Sequence, residues 1–290
     1  MKSGQENQQG QGTQAMISSS SGNAFESNVW RGFPYLDQVK RVPSDAPYLW
    51  LAAGWRDLKT DPRNSLFFGL VLAGLSIFLS FGLYYMGHTW LIPPALGGFL
   101  IVGPILSVGM YEISRQLEAG RKPGFLEVTT AWRRNPWGIL GGGVALALYF
   151  VVWMRAAAII FAIFFPYQSS SPQSLLNQAF FTLDGWFFFA VGTAVGAVFA
   201  AGAFLCSAIS LQMMLDRRVD VFRGVMASIV AVLANARTMA IWAGLIVVFI
   251  AAGFATGFLG LIIALPLIGH ASWHAYRGIL KSEAEITRGG

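Results

Sequence analysis

The sequence predicts an all-α membrane protein: six transmembrane helices arranged as three hairpins, each preceded by a cytoplasmic amphipathic interfacial helix. Three observations predict it. Charged residues make up 12% of the 290 positions and hydrophobic residues 55%, against about 25% charged in an average soluble protein. Six stretches approach or exceed the ~20 mainly apolar residues that carry a helix across the hydrocarbon core. Basic residues gather in alternate connections between those stretches and are missing from the others.

The six stretches are 66–86, 91–111, 139–165, 186–213, 239–256 and 258–280. None alternates apolar and polar residues over a strand's length, so a membrane β-barrel is not expected. The joins between the first and second, and between the fifth and sixth, are short enough to make each pair a helical hairpin. Of the twenty Lys and Arg, nineteen fall before the first stretch, between the second and third, between the fourth and fifth, or at the C-terminal end of the sixth and beyond. The positive-inside rule then puts both termini in the cytoplasm of a bacterial cell with the domain in its inner membrane. The net charge of +6 and pI near 9.7 are read as anchoring beside anionic lipid, with no nucleic-acid partner. A single cysteine excludes a disulfide scaffold.

The domain organisation follows from the same composition. Residues 1–45 are expected as a flexible cytoplasmic tail, rich in Gln, Ser and Gly over 1–28, with a more apolar docking candidate at 30–35. Residues 46–281 form the six-span domain, and 282–290 a short cytoplasmic tail.

Each odd-numbered span has an amphipathic lead-in. In the first, Pro47 opens a helix whose stripe is Tyr48, Leu51, Trp55 and Leu58, with Arg56, Asp57 and Lys59 pointing elsewhere. The second carries Phe125, Val128 and Trp132, and the third Val221, Val225, Ile229 and Val232, with Ser228 off the stripe. They end at Asp61-Pro62-Arg63, Asn135-Pro136-Trp137 and Asn235-Ala236-Arg237. Pro104 with Arg115 and Pro266 with Arg277 share one spacing, whereas the middle copy keeps Arg217 but has Cys206 in place of proline. The expected unit, an interfacial helix followed by a hairpin, thus recurs three times as a pseudo-threefold repeat.

Several of these stretches resemble a known family. Arg41-Val42-Pro43 with Trp55-Arg56-Asp57-Leu58, Gly103-Pro104-Ile105-Leu106 with Tyr111-Glu112-Ile113-Ser114-Arg115, and Pro266-Leu267-Ile268-Gly269-His270 with Trp273-His274-Ala275-Tyr276-Arg277 carry the likeness. The family is a domain-of-unknown-function family (number 2189) of integral membrane proteins from proteobacteria. The resemblance spans about 39–280 and implies six spans in an inner membrane, with no established activity. Some members carry a cytochrome c oxidase subunit I label. This chain has three histidines, with His88 at the opposite end of the bilayer from His270 and His274. No pair of them grips a haem from both sides, so only an accessory place in a respiratory complex survives from that label.

The candidate functional polar residues are Arg155, Asp184, Glu112, His270 and His274. Arg155 is the one charge well inside a span, about 16 Å from the outer end at Pro166, and Asp184, the only acid on the outer side, is its expected partner. Glu112 and His274 occupy equivalent places in the repeat and are expected to face one another or line one inner-leaflet cavity. His270 and His274 share a helix face, but two ligands are too few for a metal site, and hydrogen bonding within the interfacial belt is the plainer reading. No metal and no cofactor are expected. Gly192-x3-Gly196-x3-Ala200, Gly253-x3-Gly257 and Gly138-x3-Gly142 read as small-residue faces for close helix packing.

No Ser–His–acid set, paired catalytic carboxylates or nucleotide loop is present, so enzymatic activity is not expected. The leading reading is a non-enzymatic inner-membrane protein that interacts with membrane lipids, with another membrane complex, or with further copies of itself. The alternatives are a small-molecule transporter or channel using the five polar residues as a pathway, and an accessory subunit of a respiratory complex.

Overall fold

A computed structural model of the chain describes residues 36–165, 177, 180–282 and 285. The expected docking segment at 30–35 and Pro166 lie outside the described residues. Among those described, the structure is helical, and the one β-bridge joins Val39 to Leu280.

The helices, in chain order, are α1 (Ala46–Thr60), α2 (Pro62–Tyr85), α3 (Ile92–Leu106), α4 (Val108–Glu118), α5 (Phe125–Thr129), α6 (Pro136–Phe164), α7 (Leu183–Ser207), α8 (Ser210–Arg217), α9 (Val221–Ala234), α10 (Ala236–Ala255) and α11 (Leu261–Ile279). Among the described residues, five helical stretches are long and apolar enough to cross a membrane: Pro62–Tyr85, Thr89–Glu118, Pro136–Phe164, Leu183–Arg217 and Ala236–Ala255. The sequence leads to six. The stretch that falls short is α11, whose second half carries His270, Ser272, Trp273, His274, Tyr276 and Arg277. Its polarity has a packing reason. α1, α2, α4 and α10 all pack on α11, and most of its residues are buried by protein, so its surface need not be apolar.

Proline sets two of the long helices going. Pro62 and Pro136 stand at the first helical position, where the missing N–H costs nothing. The residues ahead of α2, α6 and α10 adopt similar non-helical conformations: Asp61 at φ −128°, ψ 69°, Asn135 at −147°, 76°, and Asn235 at −122°, 36°. Asn135 caps α6 by accepting from the Gly138 N–H, and its amide nitrogen donates to the Val219 carbonyl. Asn235 accepts from the Val42 N–H and donates to the Lys40 carbonyl. Part of the segment expected as a tail is therefore tied to the helical body. Lys40 N–H also donates to the Ile279 carbonyl, and Lys281 N–H to the Gln38 carbonyl.

Two of the long helical stretches bend where the chain leaves helical geometry. Between α3 and α4, Pro104 cannot donate, and Ser107 sits at φ −88°, ψ 0°. Between α7 and α8 no proline is present, yet the helix breaks at Ala208 and Ile209. Ser228 of α9 holds that break open, accepting from the Ile209 N–H at 3.2 Å and donating to the Leu205 carbonyl at 2.8 Å.

The lead-in helices differ from their expected faces. α1 buries Ala46, Trp50, Gly54, Asp57 and Leu58, whereas Tyr48 and Trp55 are exposed. The buried side is chosen by the partner, α11, which approaches so closely that a Cβ on Gly54 would meet the Ala271 backbone nitrogen at 2.7 Å. The second lead-in is reduced to five residues of α5 and a 3-10 turn, Ala131–Arg134. In α9, Ser228 lies on the buried side together with Gly224, Ala227 and Val232.

The membrane-facing part forms two groups. In one, α3, α6 and α7 pack on one another; in the other, α11 joins α2 and α10. The second group includes a close backbone approach at Gly69, where a Cβ would stand 2.1 Å from the Ile262 carbonyl oxygen. α10 packs at most marginally on α3 and α7, and a cavity occupies the space between the groups.

Candidate functional site

The end of the bundle that gathers the basic residues is closed by buried polar contacts. His274 Nε2 lies 2.8 Å from an Asp57 carboxylate oxygen, joining α11 to α1. One turn earlier on α11, His270 is fully buried between Ser65 of α2, 2.9 Å from Nε2, and Ser114 of α4, 2.8 Å from Nδ1. Ser65 also reaches the Asp61 carbonyl and Ser114 the Asp57 carboxylate, so both ring nitrogens are engaged by hydroxyls that belong to a wider polar cluster. Asp57 lies outside the long apolar helices. Burial opposes its ionisation, but the hydrogen bonds and charge around it, His274 foremost, outweigh that and hold the carboxyl below the usual range.

Glu112 does not meet His274. Its carboxylate takes a two-pronged pair from Arg115 at 2.7 Å and a hydrogen bond from Gln116, with Arg134 at 3.7 Å. Glu118, a turn and a half further on, accepts from Trp273 Nε1 and pairs with Arg277. The two residues expected to share a cavity are thus held by separate partners, Glu112 by Arg115 and His274 by Asp57.

The expected pair of Arg155 and Asp184 is not formed. Both side chains are exposed, and among the described residues neither has an ion-pair or hydrogen-bond partner. Asp184 sits instead in the first turn of α7, where a negative charge complements the helix dipole. Among the described residues no group of three or more His, Cys, Asp or Glu converges to hold a metal ion.

The cavity is a different kind of site. It encloses about 860 Å³, inside the ~300–1,000 Å³ range of small-molecule pockets. α3, α6, α7, α10 and α11 form most of its wall, with α4, α8 and α9 contributing at one end, and none of the lining side chains is charged. Along α3 the lining runs from Pro93 to Ser107, a depth of about 21 Å at ~1.5 Å per residue. The end away from the basic residues is walled by aromatics: Trp90 stacks on Phe161 with centroids 4.8 Å apart, and Phe188 meets Phe161 edge-on. Trp153 is fixed there by a 2.8 Å hydrogen bond from its indole nitrogen to the Pro94 carbonyl.

Two rows of small side chains border an opening between α7 and α10. Thr193, Ala197 and Ala201 form one, and Ala236, Ala240 and Gly244 the other; all are exposed and all line the cavity. Spacing of four keeps each row on one helix face. The Gly192, Gly196 and Ala200 face, expected to close a helix contact, also opens onto this space: nothing lies within 4 Å of a Cβ at Gly192, and Gly196 meets only the Trp153 ring.

At the basic end the cavity has a polar floor of Ser107, Tyr111, Ser207, Gln212 and Ser272. Tyr111 stands out in the sequence only as part of a motif, and the other four not at all, because isolated Ser and Gln in an apolar run look like ordinary helix residues. Gln212 carried the available signal, being the one Gln within 186–213.

These features define a class, a helical membrane protein with an uncharged internal cleft. Within that class, residues 91–216 match the family described as "Predicted integral membrane protein (DUF2189)", and the chain is an integral membrane protein. The matched region runs from α3 through α8 and so includes Ser107, Tyr111 and Gln212, while α10 and α11 lie beyond it. No curated protein and no solved structure matches the chain.

Proposed function

We propose that the chain is a non-enzymatic, lipid-interacting protein of a bacterial inner membrane that takes the apolar tail of a membrane amphiphile into the cleft between α7 and α10. The observation that carries this reading is the cavity of about 860 Å³ without a charged side chain, bordered by exposed small residues on the two flanking helices. An apolar chain entering it leaves lipid for a surface of similar polarity and gains packing contacts on several sides.

The same reading takes α11 as a sixth span. Its 19 residues reach about 28 Å, close to the ~30 Å of a hydrocarbon core, and a tight turn with Gly257 at φ 63° returns the chain from α10. The matching conformations of Asp61, Asn135 and Asn235 support a threefold repeat of lead-in helix and hairpin. The one-sided distribution of Lys and Arg supports cytoplasmic termini. Transport along Arg155, Asp184, Glu112, His270 and His274 has less support, since none of the five lines the cavity.

Native mass spectrometry of the full chain, released from mild detergent and followed by lipid extraction, tests the proposal. Wild type is expected to retain a discrete amphiphile, and Ala240→Trp, which places an indole in the cleft from an exposed position, to release it. Equal retention by both proteins would overturn the reading.

A further inference from the structure

The serine and glutamine donors on the floor of the cleft are already used. Ser107, Ser207 and Ser272 each donate to the carbonyl four residues earlier, Gly103 at 2.9 Å, Ala203 at 2.7 Å and Ile268 at 2.7 Å. The Gln212 amide nitrogen donates to the Ala208 carbonyl at 3.2 Å. That contact also orients the amide, because exchanging its oxygen and nitrogen would set two acceptors against each other. Gln212 Oε1 is left as the one buried side-chain polar atom among the described residues with no hydrogen-bond partner, on a side chain 1% exposed. An unmet acceptor in an apolar setting is costly, so this is a place where a donor is missing.

We infer that the cleft binds an amphiphile with a neutral, hydrogen-bond-donating head, a hydroxyl, which donates to Gln212 Oε1 while the tail lies between α7 and α10. This rests on the tail-binding reading above and adds the chemistry of the head. The absence of charge from the lining selects against the other common heads. A carboxylate or phosphate would face serine and glutamine acceptors with no cation to balance it, and an ammonium would be buried without an anion. A hydroxyl supplies the missing donor at no charge cost. The tail then points along α3 toward the aromatic wall at Trp90 and Phe161.

Three photoreactive probes with one diazirine-bearing saturated tail test this on the full chain in phosphatidylcholine nanodiscs: a primary alcohol, its methyl ether and the carboxylic acid. The alcohol is expected to label peptides of α7 and α10 about tenfold more strongly than the ether, the order of one hydrogen bond in a buried site, and the acid no better than the ether. Gln212→Leu should bring the alcohol down to the level of the ether, and Ala240→Trp should suppress all three. Equal labelling of wild type by alcohol and ether overturns the head-group assignment and leaves the apolar cleft standing; a floor satisfied by water alone gives that result. Preferred labelling by the acid overturns it as well. No labelling by any probe, or labelling indifferent to Ala240→Trp, overturns the cleft itself. The alcohol-to-ether comparison needs no variant, so it decides even where Gln212→Leu does not fold.

Discussion

Asp57 and His274 stand 217 positions apart in the chain and 2.8 Å apart in space. Their contact ties α1 to α11, and the neighbouring His270 ties α11 to α2 and α4 through Ser65 and Ser114. Four helices are therefore joined at one end of the bundle by polar bonds. Such bonds are directional, so they fix register and rotation where apolar packing alone tolerates sliding.

The Asp57 contact should make stability depend on pH in a specific sense. The carboxyl is held below its ordinary value of 3.8 in the folded protein, so the unfolded chain takes up a proton first as acid is added. The contribution is fully present above about pH 4 and is lost as pH falls through the lowered folded value. Thermal midpoints in detergent are expected to put Asp57→Asn below wild type at pH 7, by about 1–2 kcal/mol after allowance for partial solvent screening. The gap should narrow below pH 4. A gap unchanged down to pH 3 would show that the charge on Asp57 is irrelevant.

Gly69→Ala should be severely destabilising, because its Cβ would lie 2.1 Å from the Ile262 carbonyl oxygen and a backbone atom cannot rotate away. A cost of about 1–3 kcal/mol or more is expected from overpacking. Gly74→Ala, on the same helix with nothing within 4 Å, should be neutral or stabilising by up to ~1 kcal/mol through helix propensity. Parallel melting curves of the two variants check the contrast, which disappears if α2 and α11 are not in contact.

Ser228→Ala should loosen the break between α7 and α8. It strands both the Ile209 N–H and the Leu205 carbonyl inside the protein, at about 1–3 kcal/mol. Backbone hydrogen exchange is expected to accelerate at Ile209 ahead of any change in α10. Unaltered exchange there would mean the break needs no help from α9.

Much of the span map was legible because hydropathy is a local property. The stretches 66–86 and 139–165 fall within a few residues of the helices Pro62–Tyr85 and Pro136–Phe164, the difference arising where proline starts a helix ahead of the apolar run. The candidate residues were less legible. Arg155 was singled out for its depth, but it lies on the exposed face of α6 without a partner among the described residues. Glu112 was noticed for its place in the chain, yet it is matched by Arg115 only three residues away. Gln212 and Ser228 gave little sign, since what distinguishes them is the helix that stands opposite.

Composition and the placement of Lys and Arg determined by themselves that this is a helical membrane protein, and they pointed to one face as the charged one. Those conclusions need only sums over short windows, because transfer into hydrocarbon is scored residue by residue. The tertiary structure decided that α11 is wrapped in protein and that α10 stands away from α3 and α7. It also decided that five modest polar residues share the floor of the resulting cleft. Each of these depends on which helix faces which, and that is set by close contacts such as Gly54 with Ala271, Gly69 with Ile262 and His274 with Asp57. A linear pattern does not carry those pairings, for in every one of them the two residues lie at least 190 positions apart.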